Sequence, residues 1–345
     1  MTRRRPIAIA IPTILALLGL HCSGGSTGAP ATDGGSHADS SKSHPDAGSP
    51  KLDAGNRDVD GGGTDAANPK DAAQDAGGPD TSLPGWKLTW SDEFNGPDGS
   101  APDPTYWSHD VGGTGWGNSE LEYYTDGASN TYQEGGNLVI LATTAGASAY
   151  SCANDGAPGP CQYTSGRIVT ESRGGNKGFS QTYGRFEARM KLPSGAGLWP
   201  AFWMLGTNIE TVSWPACGEI DVMENLGQDP TTIYGHLHMP QTSTGNYGPG
   251  TSYMLPSGSF ADDFHVFAVE WQMGELDLFV DGTKYDSITS SSTPGDATWE
   301  FDGHPFFVVL NLAVGSKDSW PGATNGATMF PATVLVDYVR VYEKM

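Results

Sequence analysis

The sequence from Trp86 to Met345 consists of short β-rich segments separated by turns, and no long amphipathic helix interrupts them. Val, Ile, Phe, Tyr and Trp fill the segments, while Gly, Pro, Asn and Asp stand between them. In "RFEARMKL", Phe186, Ala188 and Met190 alternate with polar residues, as in a strand with one buried face. This pattern is typical of one antiparallel sandwich or jelly roll. We therefore expect an all-β domain built from two antiparallel sheets.

Two segments precede this domain. Residues 1–22 have the features of an export signal, with three arginines at positions 3–5 followed by an apolar core from Ile7 to Leu20 that is short for a membrane span. Residues 23–83 are mostly Asp, Ala, Gly, Ser and Pro, and they bury too little apolar surface to offset their ordering entropy. We expect a disordered linker there, a folded domain over 84–345, and an exported protein that is secreted or held at the cell surface.

The four cysteines agree with export. Cys22 follows the signal, where it is either the lipidated cysteine of a membrane-tethered lipoprotein or a leftover cysteine of an ordinary cleaved signal; both interpretations stay open. Cys152 and Cys161 bracket the turn-rich loop "CANDGAPGPC" and predict a local disulfide. Cys217 has no evident partner, and no Cys/His spacing resembles a zinc site.

The chain is strongly acidic. Its formal net charge is −22 at pH 7, from 40 Asp and Glu against 18 Lys and Arg. Nucleic acids and anionic surfaces would be repelled by this charge, so we exclude them as partners. A neutral substrate fits, and we expect a monomer.

The segment "CGEIDVMEN" places three carboxylates, Glu219, Asp221 and Glu224, within six residues of an otherwise apolar strand. Strict alternation would turn Glu219 and Asp221 to one face and Glu224 to the other. A β-bulge, in which Val222 and Met223 together oppose a single partner residue, would return Glu224 to the face of the other two acids. The sequence therefore predicts a bulged strand whose three acids line one groove.

The three neighbouring carboxylates could serve acid catalysis, form a solvated strand face, or bind a cation. Like charges this close cannot all stay ionised, so at least one carboxyl pKa rises, as a general acid near neutral pH requires. The alternatives are a solvated strand face, or oxygen ligands for a hard cation such as calcium. Solvated faces usually include Lys, Thr and Ser, and none stands between residues 217 and 225. We therefore favour catalysis.

Tryptophans occur on both sides of the acidic strand in the sequence. Trp199, Trp203 and Trp214 precede it, and Trp320 lies further along the chain. Exposed indole rings near paired carboxylates suit a sugar, because a pyranose packs its C–H face on an indole while its hydroxyls bond to polar groups. Phe202 is expected in the core instead. Acids and tryptophans on one sheet together suggest glycoside hydrolysis.

Six ordered sequence blocks closely resemble the laminarinase-type endo-β-1,3-glucanases of glycoside hydrolase family 16. They are "WSDEFNG", "GNSELEYYT", "YGRFEARMKLPSGAGLWPAFWMLG", "WPACGEIDVMENLG", "NLAVG" and "VDYVRVYE". The resemblance implies a concanavalin-like β-jelly roll whose concave sheet carries the substrate cleft, a β-glucan substrate and a retaining mechanism. Retention needs two carboxyl groups about 5–5.5 Å apart, which neighbours on a bulged strand can achieve.

The resemblance also implies residue roles. Glu219 matches the nucleophile, Glu224 the general acid/base, and Asp221 the residue that hydrogen-bonds the nucleophile. Predicted cleft residues are Asn118, Glu187, Arg189, Trp199, Trp203, Trp214, His238, Asn311 and, from the aromatic pattern, Trp320, with a structural role as the competing interpretation for each.

A structural calcium site is a further implication of the resemblance. Many relatives bind the ion on the convex side, through an acid of the first strand, a backbone carbonyl and an acid of the last strand. Glu93, Gly136 and Asp337 match these positions. No cofactor is expected for the chemistry itself.

Other functions remain compatible with the same blocks. The chemistry could act on mixed-linkage β-1,3-1,4-glucan or on a galactan such as agarose, although "GLWPAFWMLG" favours β-1,3-glucan. A non-catalytic carbohydrate-binding sandwich is the alternative from another class, because fold does not fix function. Such a module would not need all three acids.

Overall fold

The computed structural model describes residues 82–153 and 158–345. The predicted export signal, Cys22 and the predicted linker as far as residue 81 lie outside these residues, so they stay predictions. Within the described part of the chain, no helix is long and apolar enough to cross a membrane.

Strands dominate the described chain. They are β1 (Trp86–Asp92), β2 (Ser108–His109), β3 (Glu122–Tyr124), β4 (Thr131–Glu134), β5 (Asn137–Ala142), β6 (Ser151–Cys152), β7 (Gly159–Pro160), β8 (Tyr163–Ser165), β9 (Arg167–Val169), β10 (Gly184–Lys191), β11 (Leu198–Gly206), β12 (Glu219–Asn225), β13 (Thr232–Gln241), β14 (Gly245–Tyr247), β15 (Gly250–Met254), β16 (His265–Gln272), β17 (Glu275–Val280), β18 (Thr283–Thr289), β19 (Phe306–Val314) and β20 (Ala332–Lys344). In residues 82–153 and 158–345, the helical elements are α1 (Ile209–Val212) and the 3₁₀ turns Ala147–Ala149 and Ser290–Ser292.

Two eight-stranded sheets form the sandwich. The outer sheet has the order β18-β17-β16-β10-β20-β5-β4, and β1 also pairs with β20. The cleft sheet, named for the cleft that crosses it, has the order β14-β13-β12-β11-β19-β9-β2, and β15 also pairs with β13. Both sheets are antiparallel, for instance along β10–β20 and β11–β19. The predicted fold class is confirmed.

Alternating apolar residues of the two sheets fill the core between them. On β10, Phe186, Ala188 and Met190 are fully buried there, as their spacing predicted. On the cleft sheet, Phe202 and Met204 are buried in the same core, so the core assignment of Phe202 is confirmed. Each such large side chain contributes about 1.5–3 kcal/mol by leaving water. This packing fixes which residues of every strand face outward.

The cysteines also follow the prediction. Cys152 and Cys161 form a disulfide that closes the loop between β6 and β8. Cys217, just before β12, is a free thiol and is fully buried. Its neighbours are Leu205 and Phe307 of the cleft sheet, with Val169, Val309, Trp203, Ile209 and Trp214 completing a small apolar cluster. This cluster supports the strand that carries the acids.

Candidate active site

Strand β12 contains the predicted β-bulge. In the β12–β13 ladder the pairing shifts between Asp221 and Glu224, so that Val222 and Met223 together oppose the single residue Gly235. The ladder with β11 shifts at the same place. Both bulge side chains are fully buried in the core. The extra residue therefore turns Glu224 to the face occupied by the two preceding acids.

Gly235, opposite the bulge, lies where neighbouring side chains leave no room for a Cβ atom. A Cβ atom on Gly235 would lie 2.4 Å from the hydroxyl of Tyr285 and 2.5 Å from Cδ1 of Leu278, both in the outer sheet. A larger residue would press on these side chains and push β13 away from the outer sheet. Gly235 thus lets the cleft sheet and the outer sheet approach each other closely beneath the bulge.

An open cleft of about 460 Å³ crosses the cleft sheet above the bulge. The three acids lie in its wall, and an oxygen of Asp221 is within 4.8 Å of one oxygen from each of the other two acids. Most predicted cleft residues also line it: Asn118, Trp199, Trp203, Trp214, Glu219, Asp221, Glu224, His238, Asn311 and Trp320. The structure therefore brings together segments that are up to about 200 residues apart in the sequence.

Two of the tryptophans hold the acids directly. The indole Nε1–H of Trp214 donates a hydrogen bond to Oε2 of Glu219 at 2.8 Å. The Nε1–H of Trp199 donates to Oε1 of Glu224 at 3.1 Å. These bonds fix the carboxylates relative to each other, and both tryptophans also line the cleft. The sequence suggested the sugar contact but not the hydrogen bonds.

Two histidines of β13 complete the acidic cluster. Nε2 of His238 lies 3.3 Å from Oδ2 of Asp221 and 3.9 Å from Oε1 of Glu219. Nδ1 of His236 lies 3.2 Å from Oε2 of Glu224. His236 therefore contacts an acid as closely as His238 does. Each histidine can balance part of the negative charge.

The carboxyl pKa values are displaced by burial and by crowding. Burial raises the pKa of Asp221 well above its usual range, and the charges of Glu219 and Glu224 raise it further. Burial also raises the pKa of Glu219, while the positive charge of His238 opposes this rise. The predicted upward shift is confirmed. Burial and these neighbouring charges therefore favour the protonated form of Asp221.

The pKa of His238 moves in the opposite sense to that of an ordinary buried histidine. Burial lowers it, but the hydrogen bond to Asp221 and the charge of Glu219 outweigh burial and raise the pKa to about 9. For His236, burial is likewise outweighed by the hydrogen bond and charge of Glu224, which raise its pKa. At neutral pH the cleft floor thus carries positive imidazolium beside the acids.

Sequence analysis missed the charged wall on one side of the cleft. The guanidinium of Arg167 is stacked between the rings of Trp116 and Trp203, 4.8 and 4.7 Å from their centroids. It also pairs with Asp110, with Nε 2.7 Å from Oδ2. Trp203 in turn donates from Nε1 to Oδ1 of Asn311 at 2.7 Å. No local pattern in the sequence indicates this stack, because its members come from four separate segments.

Glu187 and Arg189 do not belong to the cleft, and their prediction as cleft residues is wrong. They lie on β10 of the outer sheet, where the alternate residues face the core and leave them on the outer side. Glu187 accepts a hydrogen bond from Arg185 Nε at 2.8 Å, and Arg189 donates to Asp337 at 2.8 Å. Their contacts are therefore structural.

The residues predicted to bind calcium meet beside β20, where the end of β1 and the start of β5 pair with neighbouring positions. Both carboxylate oxygens of Glu93 accept hydrogen bonds from Arg340, at 2.9 and 2.8 Å. Asp337 is paired with Arg189, and Gly136 lies next to Asn95. These carboxylates do not fit a calcium site as they stand, because an ion would have to displace two guanidinium groups. Calcium here stays a prediction.

Comparison with known proteins agrees with this geometry. Residues 117–340 match the model of glycosyl hydrolases family 16. The chain belongs to this family. A β-glucanase of Rhodothermus marinus is 40% identical over 270 residues, covering 75% of this chain and 86% of that protein. A glucan endo-1,3-β-glucosidase of Cryptopygus antarcticus is 37% identical over 237 residues, covering 67% of this chain and 82% of the relative.

A solved structure shares the fold. The X-ray structure of an endo-β-1,3-glucanase from Pyrococcus furiosus has 43% sequence identity and a TM-score of 0.65, covering 75% of this chain and 95% of that one. The described domain is thus a family 16 glycoside hydrolase, as its sequence blocks predicted.

Proposed function

We propose that this family 16 enzyme hydrolyses internal β-1,3-glucosidic bonds of laminarin-type glucans with retention of configuration. The observation that carries the proposal is the bulged strand, which places three acids on one face of a cleft lined by tryptophans. The similarity to proteins named as endo-1,3-β-glucanases supports the choice of linkage. The cleft is open, which suits attack within a polysaccharide chain.

Glu219 acts as the nucleophile. In the first step its carboxylate attacks the anomeric carbon and forms a covalent glycosyl-enzyme, while the glycosidic bond to the leaving sugar breaks. The Trp214 N–H and the nearby imidazolium of His238 favour the ionised form of Glu219 that this step needs. Neutral Asp221 hydrogen-bonds the same carboxyl, as its raised pKa allows.

Glu224 acts as general acid and then as general base. It gives its proton to the departing glycosidic oxygen in the first step. In the second step it takes a proton from the water that attacks the glycosyl-enzyme and releases Glu219. Trp199 and His236 each hold one of its oxygens, so that the carboxyl keeps its direction through both steps.

Product analysis tests the proposal and separates the alternatives. Laminarin, lichenan and agarose are each digested with the full chain, and the products are separated by size. We expect a series of short oligosaccharides from laminarin, with the β-anomer appearing first in proton NMR. Cleavage of lichenan or agarose in preference to laminarin would show that the substrate is a mixed-linkage glucan or a galactan, with the same chemistry. Binding of laminarin without any cleavage would favour the non-catalytic sandwich.

A further inference from the structure

A fully buried acid, Glu122, lies behind the cleft wall and has no role in the chemistry above. Its side chain is 0% exposed, and its Oε2 accepts a hydrogen bond from the backbone N–H of Val314 at 2.7 Å. Its Oε1 is also buried, and no group of the described residues donates a hydrogen bond to it. A buried carboxylate oxygen without a hydrogen bond would reduce the stability of the fold. We therefore expect the Glu122 carboxyl to carry or share a proton.

The neighbour that can share this proton is Glu120. The Glu120 carboxyl is in side-chain hydrogen-bond contact with Glu122, and two carboxyl groups can form such a bond when one of them is protonated. No Lys, Arg or His nitrogen of the described residues lies within 4.0 Å of either carboxyl, so no cation replaces the proton. Glu120 is 8% exposed and reaches the cleft surface, whereas Glu122 does not. Complete burial therefore favours the protonated form of Glu122.

Glu120 begins a series of hydrogen bonds that reaches one wall of the cleft, formed by Asn118, Asn311 and Trp203. Its Oε1 accepts a hydrogen bond from Nδ2 of Asn118 at 3.1 Å, and its Oε2 accepts one from the hydroxyl of Tyr124 at 3.1 Å. The Tyr124 hydroxyl accepts from Nδ2 of Asn311 at 3.1 Å, and Asn311 accepts from the indole of Trp203 at 2.7 Å. One continuous chain of hydrogen bonds thus connects Glu120 to the cleft.

We propose that Glu120 and Glu122 share one proton, and that neutral Glu122 is a positioning residue which holds the Asn118, Asn311 and Trp203 wall of the glucan cleft. Glu122 donates the shared proton to Glu120 and accepts from Val314, and it touches no substrate. The proposal rests on the proposed function for its link to glucan binding, but not for the shared proton. Loss of the proton would put two repelling carboxylates side by side and loosen the wall.

The groups facing Glu122 are few. From its own segment they are Glu120 and Tyr124, and burial raises the pKa of Tyr124 well above its usual value, so Tyr124 remains a donor. From β8, Tyr163 pairs with Glu122 in the ladder, but its hydroxyl bonds to Thr324 instead. From β9, the charge of Arg167 acts on Tyr124. Burial and the charge of Glu120 raise the pKa of Glu122 well above its usual range, which agrees with a retained proton.

Two substitutions at one position test the inference in the full chain. Glu122→Gln keeps both bonds, because its amide oxygen accepts from Val314 and its NH₂ group donates to Glu120 without a titrating proton. Its KM for laminarin should stay within about twofold of wild type near pH 6. We expect the KM of wild type to rise at alkaline pH, where Glu122 loses its proton, and this rise should be absent from Glu122→Gln. Glu122→Leu removes the donor, and KM should rise roughly tenfold with kcat little changed, the effect of about one hydrogen bond. A Glu122→Gln enzyme as impaired as Glu122→Leu would overturn the proposal.

A second measurement needs neither the glucan nor the Leu variant. In protein labelled with ¹³C at the glutamate carboxyl carbon, the signal absent from Glu122→Gln should keep the chemical shift of a protonated acid at pH values where exposed glutamates have ionised. Its titration together with the exposed glutamates would refute the shared proton, whatever the substrate. Glu187→Gln provides the control, since it is a comparably buried acid of the outer sheet and should leave KM and its pH dependence unchanged.

Discussion

The indole N–H of Trp214 lies 2.8 Å from Oε2 of Glu219 and is directed at it, so an aromatic residue from the segment before β12 holds the carboxylate proposed as nucleophile. The ring of Trp214 also packs near that of His238, with centroids 5.9 Å apart, and against the buried cluster around Cys217. Position and charge of Glu219 are thereby linked to the packing beside the cleft.

Replacing Trp214 by Phe should shift the acidic limb of the kcat/KM profile to higher pH. The variant loses a hydrogen bond to a charged carboxylate, worth about 1.5–3 kcal/mol, and this loss raises the pKa of Glu219 further. The pH dependence of laminarin hydrolysis measures the limb. Trp203→Phe is the matched control, because its N–H bonds to Asn311 instead, so KM should change while the limb stays in place.

How well the sequence predicts such a site depends on how local the relevant contacts are. The bulge follows from three acids and the apolar residues between them, all within one strand, and the structure contains it as expected. Glu187 and Arg189 were misplaced because they belong to the same sequence block as Trp199 and Trp203. Sequence proximity does not show that β10 and β11 belong to different sheets.

Contacts between distant segments were beyond the sequence patterns. Arg167 contacts Asp110 and two tryptophans that come from other segments, and Glu122 accepts a hydrogen bond from a backbone N–H of β19. In the local sequence, each of these two residues resembles an ordinary polar residue of a short strand. Only the folded structure shows that Glu122 is buried, that Arg167 is half-buried, and which groups they contact.

His238 should stabilise the fold mainly below alkaline pH. Its folded pKa of about 9 exceeds its usual 6.5, so its contribution is complete below pH 6.5 and is lost as pH rises towards 9. The shift corresponds to a contribution on the order of 2 kcal/mol, allowing for solvent in the cleft. The melting temperature of wild type minus that of His238→Gln, followed against pH, should therefore fall across this window.

His109 is a control for His238, because its pKa is shifted in the opposite direction. Burial lowers its pKa below 6.5, so its effect on stability appears as pH falls below 6.5 and is constant between 6.5 and 9. The stability difference between wild type and His109→Gln should accordingly stay flat in the window where that of His238→Gln changes. Parallel curves for the two variants would contradict the raised pKa of His238.

The Cys217 thiol should be inert in the native protein. It is fully buried, and burial together with the charge of Glu219 raises its pKa to about 12, so almost no thiolate forms at neutral pH. Iodoacetamide should label it only after unfolding, with peptide mass spectrometry to separate Cys217 from other cysteines. Labelling of the native chain as fast as of the denatured chain would show that the cluster beneath β12 opens readily.

Substitution of Glu224 by Ala tests the acid/base role. The first step then lacks a proton donor, so laminarin should barely react, while an aryl glycoside with a leaving group that needs no protonation should still form the covalent intermediate. Breakdown of the intermediate lacks its base. Added azide needs no deprotonation and fits the space left by the side chain, so it should restore turnover and give a β-glycosyl azide, identified by NMR.

The same treatment of Glu219→Ala should give the opposite product. Without the nucleophile no covalent intermediate forms, and azide in the vacated space attacks the anomeric carbon directly from the face that Glu219 occupied. The product is then the α-glycosyl azide, because a single displacement inverts configuration where two displacements retain it. An α-azide from Glu224→Ala, or a β-azide from Glu219→Ala, would reverse the two roles. Rescue of neither variant would leave the fold and the cleft intact but remove both acids from the proposed chemistry.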